Sequence, residues 1–200
     1  LHINTGASLD FSSDLRLILD IGVRKNSQES IQKDPNDAAN DQLVDTEITT
    51  WSLTPRTIIR KNFGNLDTTI TSGLDIFYYE YDSDRKNNAG TSPIHAYRGS
   101  QSTFSAYTQS VLTINSNTRT SLGFRYNESE FRISDSFDSF ASGASAFDSR
   151  QPTFKGDSSD LIFGAGLERD LTKNSTVFAR TGQAFRAPTV DERIRPFSGA

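Results

Sequence analysis

Apolar and polar residues alternate along most of this chain, the period of an extended strand with two unlike faces. Leu1, Ile3, Thr5, Ala7, Leu9 and Phe11 share one face of the first stretch, and His2, Asn4, Gly6, Ser8 and Asp10 share the other. The second sets Leu15, Leu17, Leu19, Ile21 and Val23 against Asp14, Arg16, Asp20, Gly22 and Arg24, with Ile18 as the one intruder. A third runs Trp51, Leu53, Pro55, Thr57, Ile59, where Pro55 removes a ladder donor and predicts a bulge or bend. A fourth runs Thr68 to Tyr78, a fifth Phe104 to Ile114, a sixth Thr120 to Tyr126 and a seventh Leu161 to Leu167. The eighth, about Ser175 to Arg186, is ambiguous in phase.

The connections between these stretches sort by length. Tight turns are expected near Ser12-Ser13, Asn62 to Asn65, Asn115 to Asn117 and Thr172 to Asn174. Long polar loops are expected over Gln32–Gln42, Ser83–Ser100 and Asp135–Asp157, and the two kinds alternate strictly. A soluble sandwich has no physical reason to sort its connections this way. A barrel in a bacterial outer membrane does, with short periplasmic turns and longer extracellular loops. Strand length points the same way, because globular strands run ~5–6 residues and membrane strands need ~9–11 to cross. The expected fold is all-β: about eight antiparallel, up-and-down strands forming a segment of a larger transmembrane β-barrel.

Composition removes other classes. No apolar run is long enough for a spanning helix. A hydrophobic content of 34% still suits a barrel, whose strands carry few lipid-facing residues among polar ones. Cysteine is absent, so there is no disulfide and no thiolate metal site. The net charge of -4 with no Lys/Arg cluster gives nucleic-acid binding little support. With the short turns in the periplasm, Tyr78, Tyr79, Tyr81, Phe104, Tyr107, Tyr126 and Phe131 fall near a common outer depth, as in an interfacial aromatic girdle. In that orientation the first stretch runs down and the eighth runs up, so the chain is expected to be a piece of a longer barrel.

Three motifs carry a resemblance. The stretch Arg180 to Glu192 contains Phe185-Arg186-Ala187-Pro188-Thr189 followed by Glu192, and it resembles a strand-ending motif of the TonB-dependent outer-membrane receptors. Ser72-Gly73-Leu74-Asp75-Ile76-Phe77-Tyr78 is similar to that family's Gly-Leu-Asp-aromatic strand. Ala106-Tyr107-Thr108-Gln109 and Leu122-Gly123-Phe124-Arg125-Tyr126 are similar to two consecutive strands, with Phe124 in place of the usual Leu. Arg193-Ile194 after Glu192 displaces the expected hydrophobic partner by one residue. The resemblance implies that residues 1–200 are an interior, partial section of a barrel of roughly 22 strands. It implies a plug domain and C-terminal strands elsewhere in the same protein, and a TonB energy-transducing complex engaged through a missing N-terminal region. It further implies surrounding outer-membrane lipid of a Gram-negative bacterium, and active uptake of a scarce nutrient, most commonly a ferric siderophore. Haem, vitamin B12 and oligosaccharides stay open as cargo.

Candidate chemistry is sparse. Arg16, Arg56, Asp75 and Arg125 are candidates for facing the lumen or the plug. Phe137, Phe140, Phe147 and Phe154, on the loop expected over Asp135–Asp157, are candidates for gripping a ligand or for packing on one another. Phe185, Arg186, Ala187, Pro188, Thr189 and Glu192 read as a strand end, since proline stops a ladder. The loop Asp34 to Asp41 is rich in oxygen ligands but lacks the spacing of a Ca²⁺ loop, so a solvated acidic loop is the simpler reading. His95 could serve as a haem ligand, although a lone loop histidine is more simply solvated; His2 lies far away in sequence. No nucleophile elbow, zinc motif or cysteine nucleophile is present, and neither an enzyme nor a cofactor or metal site is expected. The rival readings are a non-transporting barrel, adhesin or enzyme, and a soluble β-sandwich binding module.

Overall fold

The computed structural model describes residues 1–33, 41–64, 66–87, 92–144 and 153–184. Eight strands form one sheet in sequence order: β1 (His2–Asp10), β2 (Leu15–Gln32), β3 (Gln42–Phe63), β4 (Leu66–Asn87), β5 (His95–Asn115), β6 (Thr118–Phe137), β7 (Phe154–Thr172) and β8 (Ser175–Gly182). Every neighbouring pair is antiparallel. A sandwich would need two packed sheets, and the described residues form one. The tight turns sit where the polar dipeptides predict them. Ser12 Oγ accepts from the backbone N–H of Asp14 and Leu15, each at 3.1 Å. Asn115 Oδ1 accepts from Asn117 N–H at 3.0 Å, and Thr172 Oγ1 accepts from Asn174 N–H at 3.2 Å. Gly64 takes φ 65°, the left-handed conformation that glycine adopts at least cost.

Register decides which residues share a face, and one slipped residue would scramble the pattern. Here it carries the apolar set unbroken across the sheet. Leu17 opposes Leu9 and Thr57, Ile21 opposes Thr5 and Leu53, and Leu53 opposes Ile76. Ile76 opposes Phe104, Ala106 opposes Tyr126, and Tyr126 opposes Leu161. Most of these side chains are exposed, with Leu17, Thr57 and Ala106 half-buried, and they form the apolar band of the outer face. The eighth stretch joins in phase, with Arg169 opposite Val177 and Leu167 opposite Ala179. Pro55 produces no bulge. The β3–β4 ladder lapses between the pairs Leu53–Ile76 and Arg56–Gly73 and resumes in the same register, because only the missing N–H is lost.

The band also slopes. Its upper edge is Trp51 opposite Tyr78 on β3 and β4, then Phe104 opposite Ile76, Tyr126 opposite Ala106, and Leu161 opposite Tyr126. The edge thus drops by about one residue per strand. At ~3.3 Å per residue and ~4.8 Å between strands that is a slope of roughly 35°. A level apolar band therefore requires strands tilted by this much, the tilt of transmembrane barrels. Trp51, Tyr78, Phe104 and Tyr126 form its aromatic rim. Tyr79, Tyr81, Tyr107 and Phe131, which depth alone assigns to a girdle, lie on the opposite, inner face: they are one residue out of phase with the apolar set.

The strands extend well beyond the band, and the long connections shrink accordingly. β4 runs to Asn87, β5 starts at His95, β6 ends at Phe137 and β7 starts at Phe154, all positions expected in loops. Above the rim the two faces exchange character. The outer face becomes charged, with Lys25 paired to Glu47 at 2.6 Å and Arg98 held by Asp82 and Asp84 at 3.0 and 2.9 Å. The inner face becomes aromatic and buried, at Tyr81, Tyr97, Phe131 and Ile133, with Ile48 against them.

One inner-face contact gives a sharp test of packing. The Tyr107 ring lies over Gly73, where an added Cβ would meet its Cζ and Oη at 2.8 and 2.7 Å and the Pro55 carbonyl oxygen at 2.8 Å. In the full-length protein, Gly73→Ala should cost about 1–3 kcal/mol through forced repacking. Gly164→Ala should be close to neutral, because its Cβ would meet nothing nearer than 3.8 Å. Urea unfolding of the two variants in lipid vesicles checks the contrast; equal midpoints would discount the Tyr107 contact.

Candidate functional site: the inner face of the sheet

At the depth of the apolar band the inner face is polar and most of its charges are paired. Arg16 meets Asp10 at 2.6 Å through a two-pronged contact, and Arg56 meets Asp20 at 2.9 Å. Asp75 and Arg125 are brought together across β5, with Arg125 Nη1 donating to Asp75 Oδ2 at 2.7 Å. Arg125 Nε also donates to Asn127 Oδ1 at 2.7 Å, and the guanidinium lies 5.6 Å from the Tyr107 ring centre. Ser105 Oγ donates to the same Asn127 oxygen at 2.8 Å. Lower down, Arg119 holds Glu168 at 2.5 Å and Asp170 at 3.4 Å. Beside this pair is an opening of about 450 Å³ whose lining includes Gly123, Gly164 and Gly166. All four candidate charges, Arg16, Arg56, Asp75 and Arg125, therefore lie on one face, each satisfied by a neighbour in the same sheet.

Above the rim lies a second layer, assembled from the outer halves of β3 to β6. His95 opens β5 and is buried, with its Nδ1 2.9 Å from Asp135 Oδ2, a carboxylate whose side chain is 1% exposed. The His95 ring stacks on Tyr97 at 5.5 Å between centres and meets Phe137 at 5.0 Å. Arg85, opposite His95 on β4, lies 4.8 Å over the Tyr97 ring. Thr46 and Ser83 share a hydrogen bond of 2.9 Å, and Gln101 Nε2 donates to Ser129 Oγ at 3.1 Å. At the top, Ile94, Ala141 and Ala144 pack together, with Asp138 N–H donating to the Ile94 carbonyl at 2.9 Å. The arrangement is a wall of rings with buried polar groups set among them. It suits recognition of a ligand with both apolar and charged parts.

Several expectations change here. His95 is not a solvated loop residue: it begins a strand and is buried against Asp135, because the ladder continues into the polar stretch that reads as loop. Phe137 and Phe154 are strand ends, Phe137 half-buried against His95 and Phe154 5.4 Å from the Phe131 ring. Phe140 is 97% exposed, and Phe147 lies outside the described residues. Phe185, Arg186, Ala187, Pro188, Thr189 and Glu192 lie outside them too, as does most of the acidic stretch from Asp34. His2 is an exposed residue at the start of β1. The Arg85, His95, Asp135, Tyr97 and Phe131 layer is missed by a reading that searches for apolar residues in phase with the band. Its signal is the inverted alternation Glu80-Tyr81-Asp82-Ser83-Asp84 and Glu130-Phe131-Arg132-Ile133, where charges mark the other face.

A family model described as "TonB dependent receptor-like, beta-barrel" matches residues 2–200. Among curated protein sequences none matches this chain. Solved structures are similar in fold. The unliganded ferric citrate transporter FecA aligns with a TM-score of 0.72 at 12% identity, over 90% of this chain and 26% of that one. The ferric-catecholate import receptor Fiu from E. coli K12, in its open form, gives 0.66 at 11%, over 90% and 34%. The siderophore receptor PiuA from Acinetobacter baumannii gives 0.65 at 14%, over 88% and 30%. The chain thus spans about a quarter to a third of the length of these structures.

Proposed function

Because the chain belongs to the TonB-dependent receptor family, as part of its β-barrel, we propose that it forms one wall of an outer-membrane active transporter for a ferric siderophore. The reading rests above all on the exchange of character between the two faces at the Trp51, Tyr78, Phe104 and Tyr126 rim. Below the rim an exposed apolar outer face suits lipid, and a paired, polar inner face suits a wet lumen holding a plug domain from elsewhere in the protein. Above it a charged outer face suits water, and an aromatic inner face suits the first capture of cargo. A barrel of the family's size, roughly 22 strands, is too wide for its own side chains to fill, which is why such transporters are plugged. Residues 1–200 would supply an interior section of that wall. Members of the family are outer-membrane proteins of Gram-negative bacteria.

On this reading the self-paired charges Asp20–Arg56 and Asp75–Arg125 keep the lumen wet without gripping the plug through unmatched charge. The plug can then shift without leaving a bare ion behind. Energy for uptake must come from the inner membrane through the TonB complex, and no chemistry is asked of the side chains in this segment. The test is transport by the intact protein. Iron-starved cells should carry it in the outer membrane and accumulate ⁵⁵Fe-siderophore only when TonB is functional. Uptake that persists without TonB would leave a barrel of another function, such as a passive channel or an adhesin.

A further inference from the structure

On the outer face above the rim, charges on β2 to β5 find opposite partners: Lys25 holds Glu47, and Arg98 holds Asp82 and Asp84. The next two strands break this rule. Register sets Glu130 directly opposite Asp157, and Arg132 directly opposite Lys155. Like charge faces like at both positions, an arrangement that is unfavourable in a bare sheet. All four side chains are exposed, and among the described residues none of them makes an ion pair or a side-chain hydrogen bond. The result is two rows, acids nearer the rim and bases farther from it. Arg132 stands six residues above Tyr126 on β6, and Lys155 six above Leu161 on β7. At ~3.3 Å per residue and a tilt of ~35°, the basic row lies ~16 Å above the edge of the apolar band and the acidic row ~11 Å above it. The head-group layer of an ordinary bilayer adds only ~5–8 Å on each side of the hydrocarbon. A phospholipid phosphate therefore ends below both rows, with the acids standing between it and the bases.

We propose that the outer face of β6 and β7 above the rim binds the tall head group of a membrane glycolipid, and that a phosphate on its sugars sits between Arg132 and Lys155. The phosphate relieves the repulsion of two cations that no carboxylate in the sheet holds. Arg132 offers a planar fork and Lys155 a point charge, both suited to phosphate oxygens. Short hydroxyl side chains flank the pair. Ser100 lies opposite Arg132. Ser134 follows Arg132 on the same face, its Oγ donating to the Arg98 carbonyl oxygen at 3.2 Å and still able to accept from a sugar hydroxyl. Small hydroxyls beside two cations suit a phosphorylated sugar and offer little to an acyl chain. The inference rests on the outer face meeting the membrane, and it does not depend on what the lumen carries.

Binding is measured by native mass spectrometry of the purified full-length receptor in detergent. The probes are lipopolysaccharide, the same lipopolysaccharide with its phosphates removed, phosphatidylglycerol and inorganic phosphate. The wild-type protein should retain lipopolysaccharide and bind the dephosphorylated form at least tenfold more weakly, a contrast that needs no variant. Arg132→Gln with Lys155→Gln should weaken lipopolysaccharide at least tenfold and leave the melting temperature unchanged, because both side chains are exposed. Lys25→Gln, whose charge is already matched by Glu47, should bind as the wild type does. Glu130→Gln with Asp157→Gln should raise the binding of phosphatidylglycerol by removing the row that turns it away. Equal retention of the two lipopolysaccharide forms, or full retention in the Arg132 and Lys155 double variant, overturns the site. Phosphatidylglycerol bound to the wild type as tightly as lipopolysaccharide overturns the glycolipid assignment, and displacement by inorganic phosphate marks a site for free anion instead. The transport reading is scored separately. TonB-dependent ⁵⁵Fe-siderophore uptake with lipopolysaccharide binding indifferent to the pair leaves transport standing and sinks the site. Binding through the pair without TonB-dependent uptake does the reverse.

Discussion

Leu74→Arg should destabilise the full-length receptor by about 2–4 kcal/mol when unfolding is measured in lipid vesicles, because on the proposed reading the substitution puts a cation at mid-depth on a face that meets lipid. Leu74 lies on the outer face of β4, between Ile70 and Tyr78, in the centre of the apolar band. Its partner across the ladder on one side is Ala106, and on the other the ladder lapses at Pro55, which has no N–H, so no carboxylate is within easy reach of the new charge. The matched control is Gln109→Arg. Gln109 is exposed on the inner face of β5 at similar depth, and the same cation there should change stability by less than about 1 kcal/mol. Equal losses at the two sites would mean that the outer face does not meet lipid. Loss at Gln109 alone would mean that the faces are assigned the wrong way round. The comparison therefore tests face assignment independently of any transport assay.

The same parity explains what the sequence reveals and what it hides. Inside the band, apolar side chains recur at every second position, so Leu15 to Val23 announces both a strand and its face. Turns are equally plain, because Ser12, Asn115 and Thr172 must supply side-chain oxygens to short backbone turns. Above the rim the pattern reverses. Glu80, Asp82 and Asp84 then mark the outer face, and Tyr81, Ser83 and Arg85 the inner one. Read by composition, such a stretch looks like a loop, although its backbone continues the ladder to Asn87. The partners of His95 and Arg85 are hidden for a different reason. They come from strands tens of residues away, and only the registers β4–β5 and β5–β6 bring Arg85, His95 and Asp135 together. The four candidate charges on the inner face were legible as to face. Their pairing, such as Asp75 with Arg125 across an intervening strand, was not.

His95→Ala should cost about 2–4 kcal/mol, with the damage confined to the outer halves of β5 and β6. Two contributions add. Asp135 loses a partner at 2.9 Å while its carboxylate stays almost wholly enclosed, and Tyr97 and Phe137 lose the ring packed between them. Asp135→Asn should be milder, near 1 kcal/mol, because an amide oxygen can still accept from the imidazole and no buried charge is abandoned. Hydrogen exchange on the full-length receptor separates the two. In His95→Ala, amides of 95–101 and 131–137 should exchange faster while those of the band, such as 104–112, keep their protection. If exchange rises throughout the barrel, the upper layer is an integral part of one cooperative unit. If His95→Ala changes neither stability nor exchange, the pair does not hold the outer hairpins together. The expected local effect follows from the two-layer build. Below the rim the ladder carries an apolar band on one face and paired charges on the other. Above it, inner-face packing adds to the backbone ladder and the outer-face ion pairs of the projecting strands, and His95 with Asp135 ties that packing across β5 and β6.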